Sequence, residues 1–285
     1  MDLIERLGAN AGAYVWSWSF AFILMTIVEV LVPRERQTLR CRISGLIFWA
    51  IWLPTSTLIF SGFRQFWAMA GIGPVVSIPL EFEWAGPAAL ILSPIAAAAV
   101  YDFFFYWCHR FQHKFLWRFH SVHHSIQDLN SVNSYHHITE PIIQSLLILI
   151  PTSLVASQAG PASSIVTVLI YIHGSFIHSP TRYNFGGGRL LLVDNRFHRI
   201  HHSLEPRHFD KNFGAFTTVW DRLFGTAHFP GVAEWPQCGL ADTVPPRTIR
   251  EWLVFPFKIR DGSSDSGEPE LGAPDCNVHL SDKLA

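Results

Sequence analysis

Charged side chains are scarce in this sequence: Asp, Glu, Lys and Arg make up only 15% of its 285 residues. A soluble domain usually carries about 25% charged residues. Hydrophobic residues, in contrast, make up 49% of the chain. Because charge is costly inside a bilayer and apolar surface is not, this deficit indicates a membrane protein.

A basic excess is also missing, since the formal net charge is -1, so no nucleic-acid partner is expected. No C-x-x-C motif occurs, which argues against a disulfide framework or a zinc site. The four cysteines lie far apart and are expected to be free thiols: Cys41, Cys108, Cys238 and Cys276. The N-terminus contains acids and no basic region that leads directly into an apolar run, so a cleaved signal peptide is not expected.

Apolar runs suited to membrane helices, which need about 20 residues, are present in the sequence. They lie at residues 13–33, 43–63, 86–107, 141–157 and 161–171. The last two are short and are separated by Gly160-Pro161, so we expect a hairpin that enters and leaves on one face. Residues 64–85 contain Gly, Pro and two acids, which predicts a partly interfacial loop.

Basic residues follow the first and third apolar runs, whereas residues 64–85 hold only Arg64. Short basic loops face the cytoplasm. The basic residues are Arg34, Arg36, Arg40 and Arg42 in one place, and Arg110, Lys114 and Arg118 in the other. The sequence therefore predicts a multi-pass protein whose histidine-rich segments face the cytoplasm. Residues 261–285 are rich in Gly, Ser, Pro and acids, which predicts a disordered tail.

Histidine is abundant, and ten of the fifteen histidines are grouped in three places near the ends of apolar runs. The first place holds His109, His113, His120, His123 and His124, the second holds His173 and His178, and the third holds His198, His201 and His202. Two of these places contain the pattern H-x-x-H-H.

Neutral imidazole is a good ligand for iron, copper, zinc and nickel. Helical spacings of three or four residues let two rings converge on one ion, and the adjacent pair in H-x-x-H-H can face two different ions. Ten rings are too many for one ion but suit two ions with about five ligands each. A lone histidine is usually only a hydrogen-bonded polar residue, and histidines at an interface can bind lipid phosphate. Neither reading explains the repeated spacing on one face, so we expect two metal ions.

Three further residues are candidates for supporting the rings. Asp102 lies near the end of an apolar run, where a carboxylate needs a partner. It could accept a hydrogen bond from the second ring N–H of a ligating histidine, or reach water or a basic residue. His137 lies three residues before Glu140, so this pair could support a metal ligand or cap the next helix. The remaining histidines have no partner at ligand spacing: His136, His208, His228 and His279. Of these, His136, His228 and His279 are expected to tolerate replacement by alanine.

These motifs resemble the fatty-acid-hydroxylase and sterol-desaturase superfamily over residues 95–229. The resemblance includes D-x-x-x-Y-W-x-H-R at 102–110, the histidine motifs, and HRIHHS at 198–203. It also includes DKNFG and WDRLFGT within 210–226, which carry no obvious metal ligand. Residues 1–94 would then be N-terminal transmembrane helices with an interfacial loop, and residues 230–260 a C-terminal extension.

The resemblance implies an all-α membrane protein with a cytoplasmic cap that holds two iron ions on the ten grouped histidines. It implies hydroxylation or desaturation of a lipid such as a sterol, carotenoid, fatty acyl chain or ether lipid, with O2 as co-substrate and no catalytic residue beyond the ligands. No dinucleotide-binding, iron–sulfur or haem motif is seen in this sequence. We therefore expect electrons from a separate ferredoxin, cytochrome b5 or flavoprotein.

Two other functions fit the histidines less well. A metal-dependent membrane hydrolase is expected to carry a base within a motif such as H-E-x-x-H, and this sequence has none. A non-catalytic metal-binding or transport protein is expected to have polar ligands within its membrane segments, whereas these cluster at one interface. The identity of the metal and the dependence on O2 separate the three hypotheses.

Overall fold

A computed structural model describes residues 3–157, 163–241, 243–259 and 277–278. Three long helices come first: α1 Leu3–Leu31, α2 Ile43–Met69 and α3 Ala89–Phe115. The shorter helices of the described residues are α4 Trp117–His124, α5 Glu140–Gln144, α6 Ile150–Ser153, α7 Ser163–Phe176, α8 Asn195–His201, α9 Val219–Leu223 and α10 Ile249–Val254. A π-helical segment, Ser145–Leu149, joins α5 to α6.

The described strands are very short. β1 (Arg36–Gln37) pairs antiparallel with β4 (Asn277–Val278), and β2 (Val76–Ile78) pairs parallel with β3 (Val155–Ser157). The described chain is thus mostly helical with almost no sheet, as the sequence predicts. Apart from β4, the tail predicted to be disordered lies outside the described residues.

Three helices are long and apolar enough to cross a membrane, over Tyr14–Leu31, Arg40–Met69 and Glu83–Phe115. Many of their large apolar side chains are exposed, such as Trp16 and Leu58. In water this surface would be costly at about 25 cal/mol per Å², so lipid is the environment that it suits.

The second apolar helix is longer than expected, and the assignment of residues 64–69 to an interfacial loop is wrong. These residues form the last turns of α2. They contain no Gly or Pro. The next such residue along the chain is Gly71, whose φ of 66° is the left-handed conformation that ends many helices. The third apolar helix is also longer than expected, so its last two turns carry His109 and His113.

The fourth and fifth apolar runs are shorter than the other three. The fourth forms the apolar stretch Glu140–Ser153, and the fifth lies in α7. Residues 158–162, at the predicted turn of the hairpin, lie outside the described residues. The helix α7 packs along α1, where the ring of Tyr171 lies 4.8 Å from that of Trp18.

Aromatic side chains of α1 and α2 pack against the segment that follows α4. Trp49 stacks on Trp18 with ring centroids 4.8 Å apart, and its indole N–H donates to the carbonyl of Val132 at 2.9 Å. One turn earlier on α2, a Cβ at Gly45 would clash with the same carbonyl. A glycine at this position therefore lets α2 approach the segment closely.

A buried ion pair joins α1 and α2 to the same segment. Arg42 and Glu29 lie 2.5 Å apart with little exposure. The guanidinium of Arg42 also donates to Asn130 Oδ1 at 3.2 Å, and the backbone N–H of Ser131 donates to Glu29 at 2.9 Å. Buried charges of this kind need both partners, so the membrane-side helices fix the stretch that leads from α4 towards His136.

Candidate metal centre

The helix α8 carries the last histidine motif, and a capped N-terminus fixes where it begins. The carboxylate of Asp194 accepts from the backbone N–H of Phe197 at 3.0 Å, and Arg189 Nε donates to the same carboxylate at 2.7 Å. Such a cap stabilises a helix by about 1 kcal/mol. The start of α8 sets the directions in which the rings of His198 and His201 leave the helix.

Nine of the ten predicted ligands come together in two groups of rings, in each of which the nitrogens lie within 4.8 Å of one another. The first, the five-ring group, consists of His109, His113, His120, His124 and His201. The second, the four-ring group, consists of His123, His178, His198 and His202. The helices α3, α4 and α8 thus contribute to one centre, with His178 from the segment after α7.

The structure separates the adjacent pair of each H-x-x-H-H motif, as the spacing predicts. His120 and His124, four residues apart on α4, face the five-ring group, while His123 faces the four-ring group. On α8 the arrangement is reversed, because His201 joins the five-ring group and His202 the four-ring group. Each short helix therefore serves both groups.

Backbone carbonyls orient four of the rings. In each case Nδ1 donates to a carbonyl oxygen: His109 to Phe213 at 2.7 Å, His123 to Tyr135 at 3.0 Å, His178 to Gly174 at 2.8 Å and His201 to Lys211 at 2.8 Å. In a neutral imidazole the other nitrogen, Nε2, then carries a lone pair. This is the arrangement by which proteins fix a metal-binding histidine.

The free nitrogens face one another at short distances. The Nε2–Nε2 separations are 3.0 Å for His109 and His120, 3.2 Å for His113 and His124, 3.1 Å for His178 and His198, and 3.2 Å for His198 and His202. A metal–nitrogen bond of about 2.1 Å puts two ligands at right angles about 3.0 Å apart. Opposed lone pairs repel, so this spacing fits rings that share a cation.

The protonation of the rings also suits metal binding. Burial lowers the pKa of the rings on α4 and α8 well below its usual value, and repulsion between neighbouring rings adds to the effect. This holds for His120, His123, His124, His198, His201 and His202. Burial of a titratable group disfavours its charged form, so these imidazoles are neutral at physiological pH, which is the form that binds a metal.

The segment Asp210–Phe213 holds three rings of the five-ring group, a role that sequence reasoning missed. The carboxylate of Asp210 lies 3.4 Å from His113 Nδ1. The carbonyls of Lys211 and Phe213 accept from two further rings of the group, as described above. The signal in the sequence was DKNFG itself, which contains no metal ligand but orients ligands through its backbone and its carboxylate.

The expected contact between Asp102 and a histidine is wrong. The carboxylate of Asp102 instead accepts three backbone N–H groups, from Ala215, Phe216 and Thr217, each at 2.9 Å. These donors occupy three of the roughly four acceptor positions of the carboxylate, and no histidine ring of the described residues donates to it. Asp102 therefore supports the centre indirectly, by fixing the residues that follow Phe213. The carboxylate of Asp221 does the same from the other side by accepting from the N–H of Phe213 at 2.8 Å.

Gly214 lies where this segment leaves no room for a side chain. A Cβ there would lie 2.5 Å from Thr217 O and 3.0 Å from Asp221 Oδ2. We expect Gly214→Ala to displace the Phe213 carbonyl and lower metal content and turnover about tenfold. Gly187→Ala, whose Cβ would meet nothing within 4 Å, is the matched control. Metal analysis and product assays on both variants check this, and normal values for Gly214→Ala would contradict it.

His136 lies at the centre, although the sequence predicted that it would tolerate replacement. Its ring stacks on that of His123 with centroids 3.9 Å apart, and it groups with His120 and Glu140 as possible ligands. Its Nδ1 is buried and has no hydrogen-bond partner among the described residues. Burial lowers the pKa of His136 to about 3. The missed signal was its position four residues before Glu140, next to His137.

His173 is the one predicted ligand that the structure leaves outside both groups. Its Nε2 pairs with the carbonyl of Val193 at 2.7 Å, and its ring lies among the rings of Phe176, Phe185 and Phe216. The spacing of five residues between His173 and His178 does not return a side chain to the same helical face. This is why one ring of the pair reaches the centre and the other does not.

His137 and Glu140 do not bond to each other through their side chains. The Nδ1 of His137 pairs with Thr139 Oγ1 at 2.9 Å, and its backbone carbonyl accepts from the N–H of Glu140 at 3.0 Å, so it helps to begin α5. The carboxylate of Glu140 accepts from Gln112 at 2.7 Å and from Gln144 at 3.1 Å. Glu140 thus links α3 to α5 directly beneath the rings of His120 and His136.

His208 and His228 have partners that their spacing did not reveal. The ring of His208 is fully buried and joins Ser203 Oγ at 2.8 Å to Glu234 Oε1 at 3.0 Å. His228 Nε2 lies 3.4 Å from Glu234 Oε2. Because Ser203 directly follows the last H-x-x-H-H motif, this chain of contacts connects residues 230–260 to α8.

Known proteins resemble this chain over the part that carries the rings. Residues 94–226 match the model of the fatty acid hydroxylase family. Alkylglycerol monooxygenase of Homo sapiens is 27% identical over 187 residues, covering 65% of this chain and 38% of that protein. Ornithine lipid hydroxylase OlsE of Rhizobium tropici is 29% identical over 160 residues, covering 55% of this chain and 48% of that protein.

A very-long-chain aldehyde decarbonylase of Oryza sativa subsp. indica is 28% identical over 158 residues, covering 50% of this chain and 24% of that protein. The match thus spans less than half the length of each of these three relatives. No solved structure matches the chain. The matched residues 94–226 contain every ring of both groups, His136 and the segment Asp210–Phe213.

Proposed function

Because residues 94–226 belong to the fatty acid hydroxylase family, we propose that this protein is a lipid oxygenase with a histidine-held di-iron centre. It would hydroxylate or desaturate an unactivated C–H bond of a lipid with O2. The three relatives are named for an alkylglycerol, an ornithine lipid and a very-long-chain aldehyde. A lipid with a long hydrocarbon chain is therefore the substrate class that we propose.

The observation that carries this proposal is the convergence of neutral imidazole nitrogens in two adjoining groups. Imidazole without thiolate suits iron as well as zinc and copper. The described cysteines do not belong to either group. The chemistry that two bound irons supply is the activation of O2 by electrons that both ions share. The chain itself holds the rings in one tautomer, excludes water by burial, and offers apolar helix faces to the lipid.

The runner-up, a metal-dependent hydrolase, would use a carboxylate near the ions as a general base. Two carboxylates lie near the rings: that of Asp210 is exposed and already pairs with His113 Nδ1, and that of Glu140 groups with His120 and His136. Both oxygens of Glu140, however, already accept amide donors from Gln112 and Gln144. The contacts of Glu140 therefore support a role in fixing α3 and α5 rather than proton transfer.

The test is lipid profiling of a host with and without the protein, grown under 18O2. We expect one lipid to gain a labelled hydroxyl or to lose two hydrogens, and a variant with His201→Ala to form no product. Metal analysis of the purified protein should give two transition-metal ions per chain, with iron in the active form. One ion per chain, or full turnover with zinc alone, would refute the proposed oxygenase function. Electrons in this proposal come from a separate carrier protein.

The histidine groups and the C-terminal residues are expected to face the cytoplasm. Cys41, Cys108 and Cys238 are buried, so the reporter must be introduced. Val232 is 94% exposed, and we propose Val232→Cys together with Cys276→Ser. A membrane-impermeant maleimide should label this variant only after the cells are permeabilised. Labelling of intact cells from outside would show that the number of crossings is wrong.

A further inference from the structure

Two adjoining cavities lie where α2 begins, away from both groups of rings. The larger has a volume of about 220 Å³, and the smaller has about 120 Å³. A single water needs only about 10–15 Å³, so both are large enough for part of an organic ligand. Both are lined by Ser44, Tyr135, Pro246 and Arg247, which makes them neighbours along one path.

The larger cavity is polar and has more positive than negative side chains. Its lining includes Arg40, Arg247 and Asp128. The arginines lie on two distant parts of the chain, one just before α2 and the other just before α10. Arginine is suited to phosphate and carboxylate because its planar fork donates two parallel hydrogen bonds. An anionic group is thus the chemistry that this lining recognises.

Asn133 helps to shape the larger cavity without offering its amide oxygen to a ligand. Its side chain is 3% exposed, and its amide nitrogen donates to the carbonyl of Asp128 at 3.1 Å. Its Oδ1 is buried, so a ligand in the cavity does not reach it. The charged groups that line the cavity are those of Arg40, Arg247 and Asp128.

The smaller cavity is apolar where the larger one is polar. It is lined by Ile47, Phe48, Ile249 and Trp252. Ile47 is 45% exposed on the membrane-spanning part of α2, and Ile249 is 51% exposed at the start of α10. The polar cavity therefore continues into an apolar one that reaches the lipid-facing surface, as the headgroup and first carbons of a lipid require.

The position along the membrane normal agrees with such a ligand. Arg40 is the first residue of the candidate membrane span Arg40–Met69, so its guanidinium lies at the depth of the lipid headgroups. Basic residues at this level are attracted to anionic lipid. Two arginines from distant parts of the chain line one cavity here, which distinguishes this place from an ordinary basic loop.

The cavities share a residue with the candidate metal centre. Tyr135 lines both cavities, and its carbonyl accepts from His123 Nδ1 at 3.0 Å. The next residue, His136, stacks on His123. Trp252 of the smaller cavity lies 6.5 Å from the ring of His137. A lipid held here would therefore contact Tyr135, whose carbonyl orients the ring of His123.

From this arrangement we propose that the two cavities bind the headgroup and first chain carbons of the substrate, a lipid with an anionic group. The proposal rests on the proposed lipid oxygenase function, and it adds which part of the lipid the protein recognises. Arg40 and Arg247 bind the anionic group, and Ile47 and Trp252 contact the chain.

Binding is measured separately from turnover, by native mass spectrometry of the full chain in detergent. The probes are dioleoyl phosphatidic acid, dioleoylglycerol with the same acyl chains and no phosphate, and inorganic phosphate. We expect phosphatidic acid to bind about tenfold or more tightly than dioleoylglycerol, because charge-assisted hydrogen bonds are lost in the latter. Inorganic phosphate at millimolar concentration should not displace it.

Variants assign the preference to this site. Arg40→Gln with Arg247→Gln should abolish the preference for phosphatidic acid, and Arg40→Lys with Arg247→Lys should restore part of it. Arg250→Gln is the matched control, since Arg250 is exposed, lies three residues from Arg247 and lines neither cavity. Bound metal should equal that of the wild type in all three variants, which shows that the fold is intact.

Several outcomes overturn the headgroup site: equal binding of both lipids, an unchanged preference in the double glutamine variant, or displacement by inorganic phosphate, which would mark a site for a free anion. For the lipid identified under 18O2, the double glutamine variant should raise KM about tenfold and leave kcat within about twofold. Binding that follows the arginines without oxidation of any lipid would leave the headgroup site standing and refute the oxygenase. Oxidation of a lipid without any headgroup preference would refute the headgroup site and leave the oxygenase function standing.

Discussion

Replacing His201 with alanine is expected to lower turnover at least about 100-fold and to reduce the bound metal, since weaker changes around a metal already cost about 10–100-fold. The ring of His201 lies 4.3 Å from that of His109 and 4.6 Å from that of His124, between α3 and α4. Its Nδ1 donates to Lys211 O, and its Nε2 is buried with no partner among the described residues. Removal of this ring opens a ligand position that no neighbour can fill.

The measurement is product formation at matched protein levels, with metal analysis of the same samples. His228→Ala is the control, because among the described residues this ring contacts Glu234 and His208, and it is partly exposed. It should keep its activity within about a factor of a few, as surface changes usually cost less than 0.5 kcal/mol. Normal activity with two metals in His201→Ala would refute the five-ring group as a metal site.

Local spacing predicted much of this centre because helical geometry is regular. Rings four residues apart share a face, so His120 with His124, and His198 with His202, could be paired from the sequence. The three-residue offset within H-x-x-H-H also predicted that the adjacent ring would turn towards a second ion. Such inferences need only the helix itself, and α4 and α8 provide it.

Contacts between distant segments could not be predicted in this way. His136 follows a segment without regular secondary structure, so no period relates it to His123. The carbonyls that orient the rings carry no side-chain signature, which is why DKNFG looked unrelated to metal binding. Asp102 was recognised as a buried carboxylate in need of partners, but backbone donors leave no trace in a sequence, and its partners lie more than 110 residues away.

The same limit explains the errors in the membrane segments. Hydropathy identified the three long apolar runs, because each contains enough apolar residues for a span. It did not locate their ends, since residues 64–69 and 108–115 are polar enough to resemble loops yet continue α2 and α3. His109 and His113 lie in the part of α3 that extends beyond the predicted end. Two ligands of the five-ring group therefore depend on where this helix ends.

Substitutions of His136 and His173 are expected to have effects opposite to those predicted from their spacing in the sequence. His136→Ala should lower turnover and bound metal about tenfold or more, because its ring stacks on His123 and its Nδ1 is buried without a partner among the described residues. His173→Gln should retain two metals and activity within about a factor of a few. A glutamine amide can still donate to the carbonyl of Val193, with which the His173 ring makes its polar contact within the described part of the chain.

The comparison is made at matched protein levels, with metal content, thermal stability and product formation measured on each variant. His173→Ala separates the hydrogen bond from the ring, since it should lower the melting temperature without removing metal. If His173→Gln lost a metal ion while His136→Ala kept both, the original assignment of ten ligands would stand and His136 would only pack against the site. If both variants lost metal, the four-ring group would extend to His173 through a movement of α7 that brings its ring away from Val193.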